Sequence, residues 1–111
     1  MIEVELKSMR KDPLFEVDVL EFSSVDKSFE FILEFPRGLL SLREGARAEM
    51  DLGESESDGD IVMKGIVYKV DENSRVVEIS FHGLLFRMTY SKQPPFKLDE
   101  GSEVYLTLKF K

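Results

Sequence analysis

Apolar residues fall at every second position in one segment after another, and this limits the chain to strands. Ile2, Val4 and Leu6 alternate with Glu3, Glu5 and Lys7, and Phe15, Val17 and Val19 alternate with Glu16 and Asp18. Phe29, Phe31, Leu33 and Phe35 share one face against Glu30 and Glu34, and Ala46, Ala48, Met50 and Leu52 share one against Arg47, Glu49 and Asp51. Val104, Leu106, Leu108 and Phe110 close the chain in the same way, against Glu103, Thr107 and Lys109. A period of two puts alternate side chains on opposite faces of an extended chain, so each segment reads as a half-buried strand. Residues 61–70, residues 75–82 and the segment after Gly83 bring the total to about eight short strands. Turn formers separate them: Asp12-Pro13, Pro36-Arg37-Gly38, the stretch 53–59, Asn73-Ser74 and Pro94-Pro95. The one helix candidate is a turn around residues 39–43, too short to change the class. The sequence predicts an all-β chain, a barrel or a sandwich, folded as a single domain over residues 1–111.

One pattern occurs twice. Leu42-Arg43-Glu44-Gly45 and Leu98-Asp99-Glu100-Gly101 share the form L-x-E-G, lie 56 positions apart, and each leads into an alternating strand. A glycine there permits a tight turn before a strand that buries one face. Two explanations stand side by side: turns recur in any β-protein, or two related halves make up one barrel.

Composition rules out several chemistries. There is no cysteine, which excludes a disulfide framework, a thiolate metal site and a cysteine nucleophile. His82 is the single histidine, so no histidine cluster can hold a metal, and beside Gly83 it reads as a surface or structural imidazole. No carboxylate pair stands out by spacing, and neither a nucleophile elbow nor a glycine-rich phosphate loop is present. The acidic stretch 54–60 begins like a calcium loop, but Gly65 occupies the last ligand position, where a bidentate Glu is required. It reads as a solvated hairpin tip. No cofactor or metal is expected.

The formal net charge of −7 suits a protein poorly for gripping phosphate backbones. Residues 87–111 are locally basic, and Tyr68, Phe81, Phe86 and Tyr90 with Arg87 and Lys92 are candidates for a base-stacking platform. No cluster interleaves aromatics with several basic residues, however, and most of these rings are expected in the core. No run of about 18 apolar residues exists, so no membrane contact and a cytoplasmic location are expected.

Gly83-Leu84-Leu85-Phe86-Arg87-Met88 puts apolar side chains on both faces of one strand, so the outer face needs a cover. Another strand of the domain could supply it, or a partner protein with Arg87 as an anchor. The block also has a family spelling. With Val62-Met63-Lys64-Gly65-Ile66-Val67-Tyr68-Lys69-Val70 before it and Val104-Tyr105-Leu106-Thr107-Leu108-Lys109 after it, it resembles subunit 8 of the archaeal and eukaryotic DNA-directed RNA polymerases. The compact stretch 53–60 resembles the archaeal form, and His82 departs from the glycine that the eukaryotic members have at that position.

The resemblance implies an OB-type barrel extended by a duplicated half, serving as a non-catalytic peripheral polymerase subunit. Its implied partner is the largest subunit, its implied role assembly or stability, and in isolation it would be a monomer. The expected docking face comprises Met63, Gly65, Tyr68, Gly83, Leu84, Leu85 and Arg87. Weak contact with single-stranded nucleic acid stays open, and the alternative function is a free-standing OB-fold protein that binds single strands.

Overall fold

Eight antiparallel strands close into a barrel in the computed structural model, which describes residues 2–111. They are β1 (Ile2–Asp12), β2 (Val17–Ser24), β3 (Phe29–Pro36), β4 (Arg47–Gly53), β5 (Ile61–Asp71), β6 (Val76–Phe81), β7 (Leu84–Tyr90) and β8 (Glu103–Phe110). Around the wall the order is β1-β2-β3-β7-β6-β5-β8-β4, and β4 returns to pair with β1. The alternation explains the closure: one face of every strand is apolar, and a closed sheet buries that face while leaving no open edge. Leu6, Leu20, Phe22, Leu33, Met50, Ile79, Leu106 and Leu108 are fully buried inside.

The described residues contain no helix. The candidate turn at 39–43 is extended instead, because Leu40 and Leu42 pack against the core at a spacing of two while Leu39, Ser41 and Arg43 face out. Phe15 does not belong to the strand it was expected to start. It lies in the β1–β2 turn, exposed, and β2 begins at Val17. The acidic stretch 54–60 is not a hairpin tip, since β4 and β5 are not neighbours. It crosses over the outside of β8, where the Asp60 amide donates to the Leu108 carbonyl at 2.9 Å and the Phe110 amide donates to Asp60 Oδ2 at 2.7 Å. Gly59 passes against Thr107, which explains why this outward threonine is buried.

The barrel is one four-stranded unit used twice. β1-β2-β3 form a meander and β4 returns beside β1; β5-β6-β7 form a meander and β8 returns beside β5. Each unit has the spatial order of a Greek key, and the units join at β3–β7 and β4–β8. The detail matches as closely as the topology. The Leu6 amide donates to Ala46 O and its carbonyl accepts from Gly45, both at 2.8 Å. The Val67 amide donates to Ser102 O at 3.0 Å and its carbonyl accepts from Gly101 at 2.7 Å. Gly45 (φ +90°) and Gly101 (φ +85°) are the two repeated glycines of the sequence, in a left-handed conformation that side chains resist. Directly after Leu6 and Val67, each strand bulges by one residue, Lys7 and Tyr68 respectively.

Even the β1–β2 and β5–β6 turns are alike. Asp12 Oδ1 accepts the amides of Leu14 and Phe15, as Asp71 Oδ1 accepts those of Asn73 and Ser74. Glu16 and Arg75 then take the same positive φ, 55° and 56°. At the β3–β7 seam the pseudo-twofold brings matched residues together: Phe31 and Phe86 stack at 5.0 Å, and Ile32 pairs with Arg87.

Candidate docking surfaces

Alternation sorts β5 cleanly. Ile61, Gly65 and Val67 are buried and Met63 packs against the core, while Val62, Lys64, Ile66 and Tyr68 face solvent. The bulge leaves Tyr68 and Lys69 both outside before Val70 turns toward the core. Val62 is 42% exposed, Ile66 44% and Tyr68 50%, an apolar row along one strand. Beside it on the wall lie Glu78 and Ser80 of β6, then Leu85 and Arg87 of β7.

The expected docking residues therefore divide. Tyr68, Leu85 and Arg87 are on the outer wall, with Leu85 half-buried and Arg87 exposed. Gly83 is exposed in the two-residue His82-Gly83 turn, where both φ values are positive. Met63, Gly65 and Leu84 are corrected: they point inward or lie under the wall, so they shape the face without forming its surface. Gly65 has a definite reason to be glycine. A Cβ there would meet Ser80 O at 2.5 Å and the Phe81 ring at 2.6 Å. The first half solves the same contact with sizes reversed, Val4 opposite Ser24.

Charges hold the face together. The Tyr68 hydroxyl donates to Glu78 Oε2 at 2.7 Å. Its pKa is pushed up to about 12 by desolvation first and by the Glu78 carboxylate second, so it stays a donor at any physiological pH. The Tyr68 bond in turn holds the Glu78 carboxyl below its usual range, with Lys69 at 3.5 Å assisting. Lys64 pairs with Glu103 at 2.7 Å and stands over the Tyr105 ring, 5.9 Å from its centroid.

A second apolar surface went unseen in the sequence. Leu14 (83% exposed) and Phe15 (73%) crown the β1–β2 turn. The segment carrying exposed Leu39 is tied to this tip, because Arg37 donates to Asp12 O from its side chain at 2.6 Å and to Glu16 O from its amide at 3.1 Å. The matched turn carries Asn73 and Ser74 on the same backbone, so nothing in the turn's geometry demands apolar side chains here. That internal difference was the signal available.

The candidate stacking rings are largely core, the outcome the sequence favours. Phe81 and Phe86 are fully buried and meet edge to face at 5.9 Å, which leaves only Tyr68 and Tyr90 with any exposed ring. No group of three or more His, Cys, Asp or Glu among the described residues is arranged to hold a metal. No helix among them is long and apolar enough to cross a membrane. No family model matches the chain, and no curated protein matches its sequence.

Proposed function

We propose that the protein is a non-catalytic, peripheral subunit of an archaeal-type DNA-directed RNA polymerase, which binds the largest subunit and supports its assembly. One observation carries the binding role: at matched backbone positions, one half is polar where the other exposes apolar side chains. Ile66 and Tyr68 stand where the first half has Glu5 and Lys7, and Leu14 and Phe15 stand where the second half has Asn73 and Ser74. Exposed apolar groups that the fold does not require cost solubility and are kept for contacts. The choice of partner rests on the resemblance, two of whose segments lie on β5 and on the β6–β7 turn with β7.

Docking through the outer faces of β5 to β7 would need about 800 Å² on each partner for a specific complex. The test is purification of the tagged protein from its native cells with nuclease added, comparing wild type with Ile66→Asp/Tyr68→Asp. Large polymerase subunits recovered in fixed proportion with wild type, and lost with the variant, are the expected result. Recovery of the protein alone, or with nucleic acid that nuclease removes, would replace this reading with the single-strand-binding one.

A further inference from the structure

The β1–β2 turn holds two apolar side chains in solvent and holds them firmly. Asp12 Oδ1 accepts the Leu14 and Phe15 amides at 2.9 and 3.3 Å, and Pro13 stiffens the backbone before them. Leu39 is fixed beside the turn from two directions. Arg37 binds the turn through its side chain and its amide, and the buried Asp18 carboxylate accepts the Gly38 amide at 3.3 Å. Leu14, Phe15 and Leu39 are the most exposed large apolar side chains among the described residues, more so than the row on β5. Because hydrogen bonds already order both segments, little freedom is left for a partner to remove on binding them.

A second copy of the chain is a poor occupant for this tip. Tip against tip would join three side chains from each copy, far short of the about 800 Å² per partner that a specific complex buries. Tip into wall fares no better, because the larger open depressions of the barrel are walled by charged groups. Lys7 and Lys27 flank one, Glu54 and Lys97 another, Glu21 and Arg87 a third, and Lys64 and Glu103 a fourth. Nucleic acid and anionic membranes are opposed by the formal net charge of −7. Another protein remains, and charge says what kind. Arg10, Lys11 and Arg37 are exposed around the tip and form no ion pair among the described residues. The nearest surface carboxylates in the chain are Asp12 and Glu16, and Asp12 is engaged by the turn amides. Carboxylates on a partner would therefore meet cations that have no counterpart here.

We propose that the Leu14–Phe15–Leu39 tip is a plug for a preformed apolar pocket on a partner protein, whose rim carries Asp or Glu facing Arg10 and Lys11. The apolar side chains supply most of the affinity, and the rim charges speed the encounter. The tip is separate from the β5–β7 face, and the proposal does not rest on which complex the protein belongs to.

The test places the photoreactive residue p-benzoylphenylalanine at position 15 of the full chain, or at position 73 of the matched turn as control, and adds the chain to native cell extract. Expected is one protein crosslinked from position 15 and not from 73, at a peptide of apolar residues flanked by Asp or Glu. With that protein purified, Leu14→Asn/Phe15→Ser should weaken its binding roughly a hundredfold or more, the loss of two buried apolar side chains. Arg10→Gln/Lys11→Gln should slow association about tenfold at low salt and leave dissociation nearly unchanged. Crosslinks to a second copy, to nucleic acid or to lipid would overturn the protein pocket, as would equal crosslinking from both positions, or none. Unchanged affinity in Leu14→Asn/Phe15→Ser would remove the plug, and an unchanged association rate in Arg10→Gln/Lys11→Gln would remove the acidic rim.

Discussion

The first and second halves of this barrel share a backbone and almost nothing on their outer surfaces. Both wrap a meander with a returning strand, bulge one residue after the same inward contact, and enter the returning strand through a left-handed glycine. Outside, the first half carries Glu3, Glu5, Lys7 and Arg47, and the second carries Lys64, Ile66, Tyr68 and Glu103 at the matched places. Even the ion pair between first and returning strands is retained with its sign reversed, Arg47 to Glu3 at 3.2 Å and Lys64 to Glu103 at 2.7 Å. Backbone hydrogen bonding and inward packing fix what both halves keep. Solvent-facing positions are free of that constraint, so the two halves differ there.

Phe31 and Phe86 are matched residues in contact across the seam, so Phe31→Ala and Phe86→Ala should each cost about 3–5 kcal/mol in urea unfolding. Strongly unequal costs would break the equivalence of the halves at their junction. Next comes Gly65→Val, which forces a Cβ into Ser80 O and Phe81 and should cost about 3 kcal/mol. Combined with Phe81→Ser, it recreates the Val4–Ser24 arrangement, and the double variant should be more stable than the two single costs predict. Strict additivity would show that the two contacts are not alternative solutions to one problem. Smaller still, Gly45→Ala and Gly101→Ala should each cost about 1 kcal/mol or more, because both glycines hold positive φ.

At the surface, replacing Leu14-Phe15 by the Asn and Ser of the matched turn should change stability by less than about 0.5 kcal/mol. A larger loss would mean that the apolar tip packs on the barrel rather than serving a contact. The least effect is one of acid. Ser28 and Ser24 hold the Asp26 carboxyl at about 2, below its ordinary 3.8. Its support of the β2–β3 turn is therefore complete above the ordinary value and is lost as pH falls toward 2. Amide exchange of Ser28 should quicken over that range while the His82-Gly83 turn, which has no such carboxylate, does not change.

Local alternation made the strands legible, and the repeated glycine pattern announced the two units that the hydrogen bonds of Leu6 and Val67 reveal. Where the sequence misled, the clue was often the same alternation applied too loosely. Met63 and Gly65 share a parity with buried Ile61 and Val67, so alternation alone puts them on the face opposite Tyr68. Leu40 and Leu42 alternate as well, and the apparent helical turn was strand-like spacing. No local pattern, by contrast, marked the crossover of 54–60 outside β8, because it depends on which strands become neighbours.

By itself, the sequence determined how many strands there are, which side of each is apolar, and where two glycine turns repeat. These follow from a period of two and from the backbone freedom of single residues, both local properties. Only the tertiary structure decided that β3 meets β7, that β4 meets β8, and that the sheet closes. Those pairings join residues far apart in the chain, where many registers satisfy the same alternation and only simultaneous packing of the whole interior selects one.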